Sequence, residues 1–312
     1  MSGEKPTVGT IVGGGFSLFA RHTNAVLVWL VLYLAASAVM AAISWPNMEA
    51  MIAYQKVAAE RAAAGMAAVP MPFSPGMTLV MIVNNLGALV LYAVLFAAFV
   101  RATAWPADSR NAYLRFGADE LSLIALGLVL VVGGMLAMVV AVIAGVILLL
   151  GVGLLLGKMA AVLLGLVLYI LAFGVLVWVQ VRLSLVGAFT VLRRRIAIKE
   201  AWVATGGQFW RLFGAYLIVG LACLALSLLL LVIMMPGFLT AMAANDPAAM
   251  SAFMGRQMAR FEQGLSFGLL LVWIAGAIVG MLTIVIGFGA VAKAAVLLAG
   301  DVSQTEDRTG NA

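Results

Sequence analysis

Long uncharged stretches constrain this chain more than any other feature of its sequence. Between Leu121 and Val181 the only charged residue is Lys158. One helix that crosses a bilayer needs about 20 largely apolar residues, so this stretch is long enough for two such helices. Glycines within 151–157 predict the turn between them. We therefore expect a protein whose helices cross a membrane.

The composition of the whole chain supports this assignment. Of the 312 residues, 65% are hydrophobic and 10% are charged, whereas about 25% are charged in a typical soluble domain. The mean hydropathy is +1.18. A soluble globular enzyme is excluded because its folded surface could not hide so many apolar side chains from water. The apolar stretches are continuous rather than alternating, which excludes a membrane β-barrel.

Six apolar stretches are long enough to cross a bilayer. We expect an all-α integral membrane protein with six transmembrane helices, arranged as three hairpins. The expected spans are 24–45, 77–100, 121–150, 158–182, 212–239 and 266–298. They form a membrane domain at 24–300, between a cytoplasmic interfacial segment at 1–23 and a polar cytoplasmic tail at 301–312.

The distribution of lysine and arginine predicts the orientation. With a cytoplasmic N-terminus, 13 of the 18 Lys and Arg residues lie in the inner segments. This excess predicts that both termini are cytoplasmic and that the membrane is the bacterial inner membrane. The net charge of +6 then belongs to loops that face an anionic leaflet. The predicted partners are anionic membrane lipids and not nucleic acid, and a membrane-protein partner remains open.

Three segments that precede the first, third and fifth spans combine aromatic residues with arginine. We interpret each as a short interfacial amphipathic helix that leads into a hairpin. The predicted interfacial anchors are Phe16, Phe19, Phe116, Trp202, Phe209 and Trp210. The alternative is that any inner membrane boundary collects aromatic residues and arginine.

The segment before the fifth span carries the most specific pattern. Its apolar side recurs at helical spacing through Ile198, Ala201, Trp202 and Thr205, which predicts an amphipathic helix on the inner surface. The basic residues around it are the candidates for contact with lipid headgroups. They are Arg193, Arg194, Arg195, Lys199 and Arg211. Ordinary anchoring of the topology is the preferred explanation for these arginines, and specific recognition of a phosphate headgroup is the alternative.

Two further helices are predicted in the outer loops. The first covers 47–64 and follows the Trp45-Pro46 pair that is expected to close the first span. The second begins after Asp246, a good N-cap, with Pro247 in the first helical position.

The chain lacks the residues that most catalytic sites need. His22 is its only histidine and Cys223 its only cysteine, so neither a catalytic triad nor a His- or Cys-based metal site can be assembled. We expect no enzyme activity, no catalytic residue, no metal and no cofactor. The lack of these catalytic residues also argues against an intramembrane enzyme.

Polar residues inside the expected spans are few, and none of the 12 acidic residues lies there. A proton antiporter usually keeps an acid inside the membrane, so this class is disfavoured. The intramembrane polar candidates are Asn84, Asn85, Tyr92 and Gln180. They would line the path of a small transporter or channel without an intramembrane carboxylate, although hydrogen bonds across helices are the preferred explanation for Asn84 and Asn85.

A family resemblance rests on the interfacial segments. The stretch from Arg182-Leu-Ser-Leu through the basic turn to Ala201-Trp202 and Phe209-Trp210-Arg211-Leu-Phe resembles the six-helix membrane domain of glycerophosphoryl diester phosphodiesterases and its stand-alone bacterial relatives. The Gly15–His22 segment resembles the start of the same domain. The run 108–120 is similar to relatives from alphaproteobacteria. The resemblance implies the membrane fold but not the activity, because the catalytic domain is absent.

These observations favour a non-enzymatic inner-membrane protein that organises, senses or handles lipid or envelope components. The alternative is the small transporter or channel described above.

Overall fold

The computed structural model describes residues 6–63, 66, 74–235, 237–262 and 266–309. Within these ranges the chain forms helices and turns and no β-strand. The helices are α1 (Val8–Arg21), α2 (Thr23–Ala63), α3 (Pro75–Ala104), α4 (Ala118–Leu156), α5 (Lys158–Leu183), α6 (Val186–Arg193), α7 (Ile198–Ala204), α8 (Phe209–Met234), α9 (Phe238–Ala243), α10 (Pro247–Glu262) and α11 (Phe267–Thr309). A 3-10 turn covers Arg110–Tyr113.

Six regions of the described chain contain a helix that is long and apolar enough, by length and composition, to cross a membrane. They are Thr23–Gln55, Pro75–Ala104, Arg110–Leu156, Lys158–Arg193, Phe209–Met234 and Phe267–Gly300. The all-helical, multi-pass assignment is thereby confirmed. The middle pair shows the reason most clearly, because α4 and α5 expose apolar side chains along their whole length, up to 87% for Leu154. Such a surface is stable only against lipid.

The first span does not end where the sequence predicts. The expected stop at Trp45-Pro46 is wrong, because α2 continues through Pro46 to Ala63. Proline removes one backbone N–H and disfavours the helix interior, but the alanine-rich stretch that follows forms helix readily. The outer helix expected at 47–64 is therefore the end of α2, and Ala64 lies outside the described residues.

Three other boundaries also differ from the predicted ones. The turn between the third and fourth spans is confined to Gly157, whose φ of +90° favours glycine. The fifth span ends at Met234 rather than 239, and Gly237, also at φ +90°, begins α9. The last helix runs to Thr309, through most of the polar segment predicted as a tail. Pro236 and residues 310–312 lie outside the described residues.

The interfacial segments differ from one another. Helices form before the first and fifth spans, as α1 and α7. The expectation of a helix before the third span is wrong. There the chain makes a turn in which Asn111, Ala112 and Tyr113 all have positive φ, followed by extended Leu114. Left-handed backbone costs about 1–2 kcal/mol per non-glycine residue, so specific contacts are needed to hold this turn.

The chain forms two compact units. The first unit contains Met1–Arg21, Ala93–Ile218 and Phe288–Ala312, and the second contains His22–Tyr92 and Val219–Gly287. In the first unit, Phe288 of α11 packs edge-on against Phe96 of α3, with ring centroids 5.1 Å apart. In the second unit, Tyr33 of α2 lies over Gly280 of α11 and hydrogen-bonds to Tyr92 of α3.

The glycine triplet 13–15 of α1 is explained by packing in the first unit. A Cβ atom added at Gly14 would lie 2.3 Å from Cβ of Lys293, and one added at Gly289 would lie 2.9 Å from Cα of Gly15. The two helices cross so closely that no side chain fits between their backbones. Gly13, in contrast, is exposed and a Cβ there meets nothing within 4 Å.

Gly14→Ala is expected to lower the thermal stability of the purified protein, because overpacking a close contact costs about 1–3 kcal/mol. Gly13→Ala is the matched control, and its better helix propensity should stabilise α1 by about 0.5–1 kcal/mol. Apparent melting temperatures in detergent compare the two. Equal stability of the two variants would contradict the close crossing of α1 and α11.

Candidate functional site

The basic residues singled out by the sequence lie in one compact part of the first unit. The chain reverses at Arg194, which has a left-handed φ of 54° and whose backbone N–H bonds to the Thr190 carbonyl. Both α5 and α6 contact α7, and Gly207, at φ +74°, permits the turn into α8. The short helices therefore hold residues 182–213 together as a folded segment.

Arg182 forms the centre of this segment. Its guanidinium lies over the rings of Trp178 and Trp202, at 5.7 and 4.5 Å from the ring centroids. Nη1 donates to the hydroxyl of Thr205 at 3.3 Å, and Thr205 is fully buried. A cation over a tryptophan face is stabilised by about 1–2 kcal/mol when shielded from water. We call Trp178, Arg182, Trp202 and Thr205 the arginine clamp, and it fixes α7 against the end of α5.

Glu200 forms ion pairs with two of the three consecutive arginines. Its carboxylate forms an ion pair with Arg193, at 3.2 Å between Nε and Oε2, and a second with Arg195. The contact with Arg193 lacks the alignment of a hydrogen bond. The assignment of all three arginines to lipid headgroups stays a prediction, to which the structure adds that Arg193 and Arg195 have an acidic partner within the chain.

Three cations of the segment have no acidic partner among the described residues. Arg194 and Lys199 are exposed, with no carboxylate within 4 Å among the residues that the structure describes. Arg211 is also exposed, and its Nη1 donates to a neutral partner, Oε1 of Gln208, at 3.1 Å. We call Arg194, Lys199 and Arg211 the basic surface. These positive charges are available for an external anion.

Exposed apolar side chains lie close in sequence to the residues of the basic surface. Trp210 is 77% exposed, and three aliphatic residues are at least 41% exposed: Ile196, Ile198 and Val203. A mixture of cations, tryptophan and aliphatic side chains is typical of the boundary between hydrocarbon and anionic headgroups.

The helical stripe predicted in α7 mainly packs inside the protein. Ala201 and Thr205 are buried, and Trp202 is half-buried against Trp178. The side of α7 that remains exposed carries Val203 and Lys199. The apolar stripe of α7 therefore serves the contact with α5, and not only a contact with a membrane surface.

The other predicted anchors have different degrees of exposure. Phe16 and Phe116 are 47% and 67% exposed, whereas Phe19 is half-buried. Phe209 stacks on Phe213, with ring planes 8° apart and centroids separated by 5.8 Å. Exposed phenylalanines are compatible with an interfacial position.

The intramembrane polar candidates fall in both units. In the second unit, Asn84 donates to the Ser44 hydroxyl of α2, and Asn85 donates to its own helix at the Met81 carbonyl, 2.7 Å away. Tyr92 lies in the same unit. Gln180 belongs to the first unit, where it lines a groove of about 450 Å³ with Ser184 and Tyr216. The transport path remains a prediction.

A buried ion cluster that the sequence analysis missed holds the start of α4. Arg101, 7% exposed, contacts Oδ2 of Asp119 at 2.9 Å and Oε1 of the fully buried Glu120 at 2.7 Å. Oε2 of Glu120 accepts the backbone N–H of Gly117 at 2.9 Å. In the sequence, Asp119 and Glu120 indicate only the N-terminus of a helix, where acidic residues are favourable. The one signal for their partner is Arg101 at the end of the preceding span.

The same cluster holds the left-handed turn. Nη1 of Arg101 donates to the Tyr113 carbonyl at 3.3 Å, and the Tyr113 hydroxyl donates to the Pro106 carbonyl at 2.8 Å. Backbone strain persists where surrounding contacts over-determine it. The two acids therefore serve the loop and α4, and their pairing gives them a structural role.

Comparisons with protein-family models, with curated proteins and with solved structures give no match to this chain. The resemblance of residues 182–213 to the membrane domain of glycerophosphoryl diester phosphodiesterases therefore stays a prediction.

Arg101→Met is expected to destabilise the protein by about 3–5 kcal/mol, because it leaves the Glu120 carboxylate buried without its cation. Arg115→Gln is the matched control, since it breaks an exposed pair with Asp108 that contributes about 0–1 kcal/mol. Thermal unfolding in detergent measures both. If Arg101→Met and Arg115→Gln unfold at the same temperature, the cluster does not hold the turn.

Proposed function

We propose that this chain is a non-enzymatic membrane protein that binds anionic lipid through the basic surface and thereby organises, senses or handles lipid or envelope components. The observation that carries this proposal is the division of charge within residues 182–211. Arg182, Arg193 and Arg195 have partners inside the chain, whereas Arg194, Lys199 and Arg211 are exposed and have no carboxylate within 4 Å among the described residues.

The physical argument concerns where a cation is stable near a membrane. A lysine or arginine near an anionic leaflet contributes about 1 kcal/mol of attraction. Arginine also matches the geometry of a phosphate with two parallel N–H donors. The exposed Trp210 and Val203 supply the apolar contact that accompanies headgroup binding. The three cations and these side chains together suit a phosphate-bearing lipid surface.

The proposal includes an orientation and an arrangement of the spans. The basic surface faces the cytoplasm in the bacterial inner membrane, as the excess of lysine and arginine in this half of the loops favours. The six spans form three consecutive hairpins. The contact of α4 with α5 across Gly157 supports the middle hairpin, and α1 and α7 are the interfacial helices that precede the outer two. The likeness to the phosphodiesterase membrane domain belongs to the same proposal.

Photoreactive phosphatidylglycerol in nanodiscs tests the lipid site directly. Its crosslinks to residues 186–213 are mapped by mass spectrometry, and dilution with unlabelled lipid gives an apparent affinity. The triple variant Arg194→Gln, Lys199→Gln, Arg211→Gln is expected to weaken labelling by about a hundredfold, at roughly 1 kcal/mol per cation.

The control removes the same charge elsewhere. The triple variant Arg61→Gln, Lys158→Gln, Arg256→Gln neutralises exposed cations on other segments and should label residues 186–213 as the wild type does. Equal loss in both triple variants would show that the effect is general charge, and no loss in either would remove the proposed role from the basic surface.

Glu200→Gln is expected to strengthen the labelling of the same segment by phosphatidylglycerol by about tenfold. The substitution removes the acid that pairs with Arg193 and Arg195, so the segment gains one net positive charge that attracts anionic lipid. Glu60→Gln, which removes an exposed acid on α2, is the control. Unchanged or weaker labelling in Glu200→Gln would mean that the paired arginines are not held back from the lipid by Glu200.

A further inference from the structure

A groove in the second unit has features that the basic surface does not explain. It has a volume of about 660 Å³, within the range of about 300–1,000 Å³ that holds small ligands. One wall is formed by α8 from Ser227 to Met234, together with Met235 just after it, and the other by α11 from Gly268 to Gly276. At 1.5 Å per helical residue, the α8 wall extends for about 12 Å. The groove is therefore long as well as apolar.

One charge is placed on this groove. Arg260 of α10 is the only charged side chain among the described residues that line it. Its side chain is exposed, and no carboxylate of the described chain lies within 4 Å of it. The hydroxyl-bearing Ser266 lines the groove with it. An apolar groove that includes a guanidinium without a carboxylate partner in the described part of the chain complements a molecule with an apolar chain and an anionic head.

The surroundings of the groove indicate the source of that molecule. Side chains next to it on α8, such as Leu229 and Val232, are exposed and apolar, so the groove adjoins a surface that faces hydrocarbon. Bilayer lipids are the molecules that such a surface meets. A guanidinium binds phosphate with two parallel hydrogen bonds. The neighbouring groove of about 680 Å³ at Trp45 and Trp273 has no charged residue among its described lining and carries no such complementarity.

We propose that this groove binds one anionic phospholipid, with an acyl chain along α8 and α11 and the phosphate at Arg260. This site lies in the second unit and shares no residue with the basic surface, which lies in the first. The proposal is therefore independent of the function proposed above, and either can fail alone.

The test uses the full-length protein with the basic surface already neutralised by Arg194→Gln, Lys199→Gln and Arg211→Gln. Delipidated protein in detergent is titrated with phosphatidylglycerol and, separately, with phosphatidylcholine, and native mass spectrometry counts the bound lipid. One phosphatidylglycerol is expected to bind, with an affinity at least tenfold above that of phosphatidylcholine. Equal affinity for the two lipids, or no retained lipid, would overturn the proposal.

Two substitutions with matched controls locate the lipid. Arg260→Gln should weaken binding of phosphatidylglycerol by about tenfold through loss of a charged hydrogen bond, whereas Arg256→Gln, one turn earlier on α10, should not. Gly276→Leu should abolish binding by filling the groove, because a Cβ at Gly276 meets nothing within 4 Å. Gly220→Leu places the same side chain in open space on α8 outside the groove and should leave binding unchanged.

The controls also separate binding from folding. All four variants should elute as a single species and melt near the temperature of the parent protein. For the two glycine variants the reason is that a Cβ atom at Gly220 or Gly276 meets nothing within 4 Å. Equal losses in Arg260→Gln and Arg256→Gln would show that the charge of α10 acts generally and would overturn the headgroup assignment. Normal binding in Gly276→Leu would overturn the groove. A free fatty acid retained by the parent protein from native membranes, in place of phospholipid, would overturn the proposed occupant.

Discussion

Hydrocarbon provides no hydrogen-bond partner, and the cost of leaving a charge unpaired there governs how this chain uses its few ionic groups. Arg101 is buried and meets two carboxylates at the start of α4. Arg182 has no acidic partner in the described part of the chain; its guanidinium lies over two tryptophan rings and donates to a threonine hydroxyl. Glu200 joins two arginines on either side of a chain reversal. Each arrangement gives a charge at least one partner and joins neighbouring segments of the chain.

The exposed cations that have no acidic partner among the described residues are therefore the candidates for binding an external anion. Arg194, Lys199 and Arg211 stand in a segment where every other arginine has a partner, and they are accompanied by exposed apolar side chains. Arg260 stands in a comparable position at an otherwise apolar groove. Uncommitted cations beside apolar surface suit anionic amphiphiles. The proposals for both units therefore rest on the same physical complementarity, applied to separate residues.

The sequence predicts the spans well because their signal is local. An uncharged run of sufficient length has to be helical in a bilayer, and all six runs are helical in the structure. The boundaries were less predictable. Pro46 favours the end of a helix, but the alanine-rich stretch that follows it continues α2 to Ala63. The ion cluster could not be predicted, because the pairing of Arg101 with Glu120 depends on three residues with positive φ. The pairing of Glu200 likewise depends on the reversal at Arg194, so the sequence identified the basic residues but not which of them are available.

Lipid retention by the unmodified protein tests the central claim most directly. The protein is extracted gently from its native membrane and analysed by native mass spectrometry, and the retained lipids are identified by their mass. Binding of anionic lipid at uncommitted cations predicts a defined anionic phospholipid, enriched over its share of the bulk membrane. A protein that carries no lipid, or lipids in the proportions of the bulk membrane, would contradict the account.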